Sequence, residues 1–123
     1  MARVLLVDDE PDIRHVLASA LLDEHHEVRT ASNGADALII ARDWLPDVIV
    51  LDLMLPAMNG WQFAERYHEE PGPHAPIIAV TAAGPGAIRA AQDLETISAV
   101  LPKPVRLDEL GHLVTAYGQA TPR

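Results

Sequence analysis

The hydrophobic positions of the chain form short apolar runs that alternate with longer segments of helical period. Five runs rich in Val, Ile and Leu are predicted as strands: Val4–Val7, Val28–Ala31, Val48–Leu51, Ile77–Val80 and Ala99–Leu101. Three of them are near-continuous, which is typical of parallel strands buried on both faces. The alternation therefore predicts a parallel sheet with helices on both sides.

Four of the intervening segments place apolar residues on one helical face. These sets are Ile13, Val16, Leu17, Ala20 and Leu21; Leu38, Ala41 and Leu45; Trp61, Ala64 and Tyr67; and Leu107, Leu110, Val114 and Tyr117. Pro11 suits a first helical position, and Ser32 or Asn33 suits a helix cap. Gly118 is a predicted helix end. The segment opened by Gly84-Pro85-Gly86 has a thin apolar stripe, so a short or mobile helix is expected there.

Length and composition indicate one domain without disulfides. The 123 residues are 49% hydrophobic and 22% charged, and none is cysteine. Such a chain buries a sizeable core without staples, and cysteine chemistry is excluded. The longest apolar run is too short to cross a bilayer, and no signal peptide is visible, so a cytoplasmic location is expected. We predict a domain over residues 1–118 and a tail or linker start over residues 119–123.

The charge balance argues against nucleic-acid binding by this domain. The formal net charge is -9, from 18 acidic and nine basic residues, and no basic stripe is visible. Phosphate contacts supply most of the affinity for nucleic acids, so such a partner is not expected. Eight of the nine basic residues are arginine, and Lys103 is the single lysine.

Polar residues follow the predicted strands at the point where each strand ends. The first strand ends in Asp8 and Asp9, the third in Asp52, the fourth in Thr81, and Lys103 follows the fifth. In open α/β sheets, ligands bind at the carboxyl ends of the strands. We therefore expect three carboxylates, one hydroxyl and one ammonium to meet at one edge.

Carboxylates gathered in this way require a cation. Asp8, Asp9 and Asp52 would repel one another strongly unless a proton or a metal lay among them. Oxygen ligands without His or Cys favour Mg²⁺ or Mn²⁺ over zinc. Lys103 and Thr81 are suited to contacting phosphoryl oxygens, with Asp52 as the nucleophile.

Four motifs then carry a resemblance to a known family. The stretches VLLVDDEPDIR, DVIVLDLMLPAMNGWQF, PIIAVTA and LPKP resemble the receiver domain of two-component response regulators, in the same order and over essentially the whole chain. The resemblance implies an α/β fold of the doubly wound, flavodoxin-like type. It implies five parallel strands in the order 2-1-3-4-5.

The resemblance also implies roles for individual residues. Asp52 would accept a phosphoryl group from a phosphohistidine of a sensor kinase or phosphotransfer protein. Asp9 and Asp52 would bind Mg²⁺ directly, Asp8 would act through water, and the backbone carbonyl of Met54 would complete the protein ligands.

Thr81, Lys103 and the backbone amide of Ala82 would contact the phosphoryl oxygens. The Lys103-Pro104 bond would be cis. The domain would be a monomer or weak dimer that signals to an effector protein or effector domain and has no role as an enzyme acting on an external substrate. Its output face would be formed by the fourth helix, the fifth strand and the fifth helix.

Three positions depart from the family pattern. Val100 stands where many relatives carry Tyr or Phe, Val105 follows Lys-Pro in place of Phe, and Thr96-Ile97 replaces a common Gly-Ala pair. None of these changes removes a predicted ligand or the nucleophile. With Val100 at this position, however, the fifth strand lacks the aromatic ring that a rotating-ring switch requires.

Alternative functions and the histidines complete the predictions. A haloacid-dehalogenase-like phosphatase requires a second Asp where Met54 stands, and a flavodoxin-like cofactor binder requires a phosphate-cradling first loop in place of DDEPD. A receiver-like interaction module that takes no phosphate is the third alternative. The six histidines share no spacing and are interpreted as solvated surface residues: His15, His25, His26, His68, His74 and His112.

Overall fold

The computed structural model describes residues 1–118 in full and the backbone of residues 119 and 120. Within these residues, five strands alternate with five helices. They are β1 (Arg3–Val7), α1 (Pro11–Asp23), β2 (Glu27–Ala31), α2 (Gly34–Trp44), β3 (Val48–Asp52), α3 (Gly60–Glu69), β4 (Ile77–Thr81), α4 (Pro85–Gln92), β5 (Ala99–Pro102) and α5 (Leu107–Ala120). Residues 121–123 of the predicted tail lie outside the described residues.

The strands form one parallel sheet in the order β2-β1-β3-β4-β5, which confirms the predicted fold class and strand order. Asp52 is the last residue of β3 and pairs with Val80, and Thr81 is the last residue of β4 and pairs with Pro102. The carboxyl ends of the central strands are therefore aligned, and the polar residues at those ends lie along one edge.

The sheet separates two hydrophobic cores. Leu5 and Val7 of β1 face the side covered by α2, α3 and α4, whereas Val4 and Leu6 face α1 and α5. Side chains alternate between the faces of a strand, so a continuous apolar run supplies both cores at once. The predicted strands read as continuous runs for this reason. No helix within residues 1–120 has the length and apolar character needed to span a bilayer.

Several predicted helix positions differ from the structure. Val16, Leu45 and Leu107 are exposed, at 51%, 57% and 42%. Leu45 caps the end of α2 in a left-handed conformation, with φ of 54°, so the helical pattern that predicted its face ends before it. Gly118 does not end α5, which continues to Ala120.

Other helix features agree with the predictions. Asn33 caps α2, its Oδ1 accepting a hydrogen bond from the Asp36 amide at 2.8 Å. Pro11 is the first residue of α1. The helix after Gly84 is short, covering the eight residues of α4, and Ala91 is its buried side chain.

His26 is buried, in contrast to the surface position predicted for it. Its Nδ1 accepts a hydrogen bond from the Ala2 amide at 3.1 Å, and its exposed fraction is 6%. The proton of the neutral ring is therefore on Nε2, which has no hydrogen-bond partner among the described residues. Burial lowers the pKa of His26, and the positive N-terminus lowers it further.

Gly60 allows α3 to start against the end of β3. A Cβ at this position would lie 2.6 Å from Leu53 Cα and 2.8 Å from the Asp52 carbonyl oxygen. The helix is fixed there by a capping box, in which the Asn59 side chain accepts from the Gln62 amide at 2.9 Å and the Gln62 side chain accepts from the Asn59 amide at 3.0 Å. The backbone that carries Asp52 is therefore in direct contact with α3.

Acidification should destabilise the protein through His26. The unfolded chain binds this proton near pH 6.5, whereas the folded chain binds it only at lower pH. Stability is thus greatest above about pH 6.5 and is lost as the pH falls through the window below it. Urea unfolding of the wild type and of His26→Gln between about pH 7.5 and 5.5 should show a smaller loss in the variant. His112→Gln, at an exposed position, should keep the wild-type profile, and a wild-type profile in His26→Gln would contradict the assignment.

Gly60→Ala should lower the free energy of unfolding by about 1–3 kcal/mol, because backbone atoms must move to admit the methyl group. Gly86→Ala is the matched control in α4, since, apart from its chain neighbours and the backbone of its own helix, no described heavy atom lies within 4 Å of the position its Cβ would take. Alanine favours helices, so this control should be neutral or slightly stabilising. Equal stability of the two variants in urea would show that the close approach at Gly60 costs nothing.

Candidate functional site

The site lies at the carboxyl ends of the strands. Asp8 directly follows β1, and its amide donates to the Ala31 carbonyl at 3.1 Å. The exposed fractions of Asp8, Asp52 and Thr81 are 2%, 3% and 1%. Two acidic side chains are therefore buried at one sheet edge, and burying a charge is costly without a partner.

Lys103 provides the opposite charge between these two acids. Its Nζ lies 3.0 Å from Asp52 Oδ2 and 3.4 Å from Asp8 Oδ2. The Glu10 carboxylate, on the exposed side, is 3.7 Å away. The single lysine of the chain thus joins the ends of three strands, β1, β3 and β5.

Burial and charge act in opposite directions on the pKa values of this group. Desolvation raises the pKa of Asp8, although the Glu10 amide and Lys103 partly offset it. Desolvation alone would lower the pKa of Lys103, but the hydrogen bond and charge of Asp52, together with the charge of Asp8, outweigh it and raise the pKa. Lys103 therefore remains protonated. A further cation near Asp8 would stabilise the ionised form of its carboxylate.

The two buried carboxylates are held in the same way. Asp52 Oδ1 accepts a hydrogen bond from the Met54 amide at 2.9 Å, and Asp8 Oδ1 accepts one from the Glu10 amide at 2.9 Å. In each case, the amide belongs to the residue two positions later, and the other carboxylate oxygen faces Lys103. Local turns thus fix both side chains, which limits their rotation.

Thr81 is at the end of β4, the strand next to that of Asp52, and its backbone carbonyl links it to Lys103. Thr81 Oγ1 accepts a hydrogen bond from the Ala83 amide at 3.1 Å, so its own proton is directed elsewhere. The Thr81 carbonyl accepts from the Lys103 amide at 2.9 Å. Ala82, between Thr81 and Ala83, is exposed. The Lys103-Pro104 peptide bond is cis, as the resemblance implied.

The acidic side chains fit a hard divalent cation. Asp8, Asp9 and Glu10 can each present a carboxylate oxygen within 4.8 Å of the others. Asp9 and Glu10 are exposed, so their oxygens are accessible to an ion from solvent. An oxygen-only donor set with excess negative charge matches the preference of Mg²⁺.

Two residues at this edge were not predicted from the sequence. Glu10 joins the carboxylates and contacts Lys103, and its position directly after Asp8 and Asp9 was the available signal. Arg14 of α1 donates from its guanidinium to the Asp8 carbonyl at 2.7 Å. An arginine one turn into a helix carries no distinctive pattern, so this contact depends on the fold.

Comparisons with known proteins show the family of the chain and agree with its fold. Residues 4–115 match the model of the response regulator receiver domain. A probable transcriptional regulator, ycf27 of Porphyra purpurea, is 43% identical over 82 residues, which are 67% of this chain and 33% of that protein. Protein PilH of Pseudomonas aeruginosa is 40% identical over 83 residues, 66% of this chain and 68% of its own.

A similar solved structure is the receiver domain of the Francisella response regulator 1452. It has a TM-score of 0.90 and 23% identity, and the alignment covers 99% of this chain and 100% of that one. At this identity the likeness concerns the fold alone, and the chain spans about a third of the length of the Porphyra relative. Receiver domains are signalling modules of two-component systems. The match over residues 4–115 places this chain in the response regulator receiver family.

Proposed function

We propose that this receiver domain accepts a phosphoryl group on Asp52 from a phosphohistidine of a sensor kinase or phosphotransfer protein. The observation that carries the proposal is the position of Asp52, buried at the end of β3 with its Oδ2 3.0 Å from the Lys103 ammonium. A nucleophilic carboxylate needs a neighbouring cation that can also stabilise the negative charge on the phosphoryl oxygens during the transfer.

The proposed step transfers the phosphoryl group without loss or gain of electrons. An oxygen of Asp52 forms a bond to phosphorus as the bond from phosphorus to the imidazole nitrogen breaks, and that electron pair returns to the ring. The Lys103 ammonium then contacts a phosphoryl oxygen in place of the Asp52 carboxylate. The Thr81 hydroxyl and the Ala82 amide donate hydrogen bonds to the other oxygens.

Mg²⁺ is the proposed cofactor, with Mn²⁺ as a substitute. Asp9 and Asp52 would bind the ion directly, Asp8 would act through water, and the Met54 carbonyl would complete the protein ligands. When bound, the ion supplies positive charge that offsets the carboxylates and the phosphoryl oxygens. The direct role of Asp9 is supported by its exposed position, which leaves its carboxylate accessible to an ion from solvent.

The proposed output is a change in the surface of α4, β5 and α5, read by an effector protein or an effector domain. Val100 on β5 is half-buried and packs against the core beneath α4. A valine has no ring to turn inward, so a shift at Thr81 would act through the Gly84 to Gly86 segment and the packing of the short α4. We further propose that residues 1–118 form the receiver domain, that it is a monomer or weak dimer, and that it works in the cytoplasm.

Asp52→Asn should abolish phosphorylation by acetyl phosphate in the presence of Mg²⁺, because the amide is not a nucleophile. Intact-protein mass spectrometry should detect one added phosphoryl group on the wild type and none on the variant. Asp43→Asn, at an exposed position on α2, is the matched control and should react as the wild type does. If the wild type gains no phosphoryl group while a known receiver reacts in the same buffer, the domain acts as an interaction module that takes no phosphate.

Removing the metal should prevent the response to beryllofluoride, and removing one of its ligands should weaken Mg²⁺ binding. Chelation with EDTA should eliminate the chemical-shift changes that beryllofluoride and Mg²⁺ produce in amide NMR spectra. Asp9→Asn should weaken Mg²⁺ binding roughly tenfold or more, since it removes one carboxylate ligand. Asp12→Asn, an exposed acid in the first turn of α1, is the control and should change binding little. A response that persists in EDTA would refute the metal assignment.

A further inference from the structure

The turn between β1 and α1 carries the adjacent carboxylates of the candidate site, and hydrogen bonds from several directions fix its backbone. The Asp8 amide donates to the Ala31 carbonyl at 3.1 Å, and the Glu10 amide donates to Asp8 Oδ1 at 2.9 Å. A further bond comes from the Arg14 guanidinium, whose Nη1 donates to the Asp8 carbonyl oxygen at 2.7 Å. The Arg14 side chain thus links α1 to the turn.

The carbonyl that accepts from Arg14 belongs to the peptide bond between Asp8 and Asp9. A peptide unit is planar, so a bond that fixes its carbonyl oxygen also fixes the direction in which the chain enters Asp9. The Asp8 side chain is held separately, by Lys103 and the Glu10 amide. Within residues 1–118, the Asp9 side chain forms neither a hydrogen bond nor an ion pair. The placement of Asp9 therefore depends on the peptide plane that Arg14 holds.

The stability of α1 does not account for an arginine at this position. Arg14 is the fourth residue of the helix, near the positive end of the helix dipole, where a cation is disfavoured. Its half-buried side chain forms no ion pair with any carboxylate in the described part of the chain. The bond to the Asp8 carbonyl has the short length typical of a charged donor. The contact with the turn is therefore the interaction that favours arginine here.

We propose that Arg14 is a positioning residue for the metal site, where it holds the Asp8-Asp9 peptide so that the Asp9 carboxylate stays at the edge where the ion would bind. The proposal rests on the proposed function, since the ion is the Mg²⁺ of that site. Metal ligands depend on outer partners that orient them, and loss of such a partner typically weakens metal binding. Arg14 would act through the backbone of the turn, without contact with the ion.

Mg²⁺ titration followed in amide NMR spectra tests the proposal. Arg14→Gln should weaken Mg²⁺ binding roughly tenfold, because the turn is no longer held from α1. Arg14→Lys keeps a charged donor and should lose less affinity. Arg89→Gln, at an exposed position on α4, is the matched control and should bind Mg²⁺ as the wild type does. Loss of a cation would by charge alone strengthen Mg²⁺ binding, so unchanged or tighter binding in Arg14→Gln would overturn the proposal.

A measurement without metal separates positioning from a general loss of structure. In Mg²⁺-free buffer, the Glu10 amide should exchange with solvent faster in Arg14→Gln than in the wild type, because the turn that holds it is looser. The amides inside β1 and α1 should keep their wild-type exchange rates. An unchanged Glu10 rate would overturn the proposal. Faster exchange throughout β1 and α1 would also overturn it, since Arg14 would then support the structure in general.

Phosphorylation by acetyl phosphate provides a third readout. Arg14→Gln should need more Mg²⁺ for its half-maximal rate but reach the wild-type rate at saturating Mg²⁺, since Asp52 and Lys103 are unchanged. A rate that stays low at saturating Mg²⁺ would place the effect of Arg14 outside the metal site and overturn the proposal. A wild type that binds Mg²⁺ but takes no phosphoryl group would refute the proposed phosphoryl transfer alone, whereas a wild type that binds no Mg²⁺ would overturn both proposals.

Discussion

Two buried carboxylates at one sheet edge can both remain ionised only if a cation lies between them. Lys103 meets this constraint, because its ammonium contacts both Asp52 and Asp8. Its own position depends on the fold, since the lysine amide bonds to the Thr81 carbonyl on the adjacent strand. Strand pairing therefore brings the charge to the place where the acids need it, and the acids in turn keep the lysine protonated.

The sequence predicted this edge well because parallel strands leave little freedom. Continuous apolar runs must lie in the interior, and their carboxyl ends then align, so Asp8, Asp52, Thr81 and Lys103 can be placed from their spacing alone. The predicted strand order also follows from these constraints together with the family resemblance. The apolar runs do not specify which carboxylate oxygen accepts a hydrogen bond from which donor. These pairings are seen only in the structure.

The errors lie where tertiary packing overrides local pattern. Leu45 continues the apolar stripe of α2, yet the chain turns to a left-handed conformation there and exposes it. His26 is a polar residue that follows α1, yet its ring is buried and its Nδ1 accepts a hydrogen bond from the Ala2 amide. His68 and His74 share no sequence spacing that signals a pair, and only the fold of the segment between α3 and β4 stacks them.

The isolation of Lys103 has a further chemical consequence. It carries the only side-chain primary amine in the 123 residues, and 15% of that side chain is exposed. Any reaction directed at lysine side chains, such as acetylation or carbamylation, thus has a single target in this chain. An acyl group there would remove the charge between Asp8 and Asp52 and leave two buried acids facing each other. Acylation of Lys103 and the proposed phosphorylation of Asp52 would then affect the same small group of side chains.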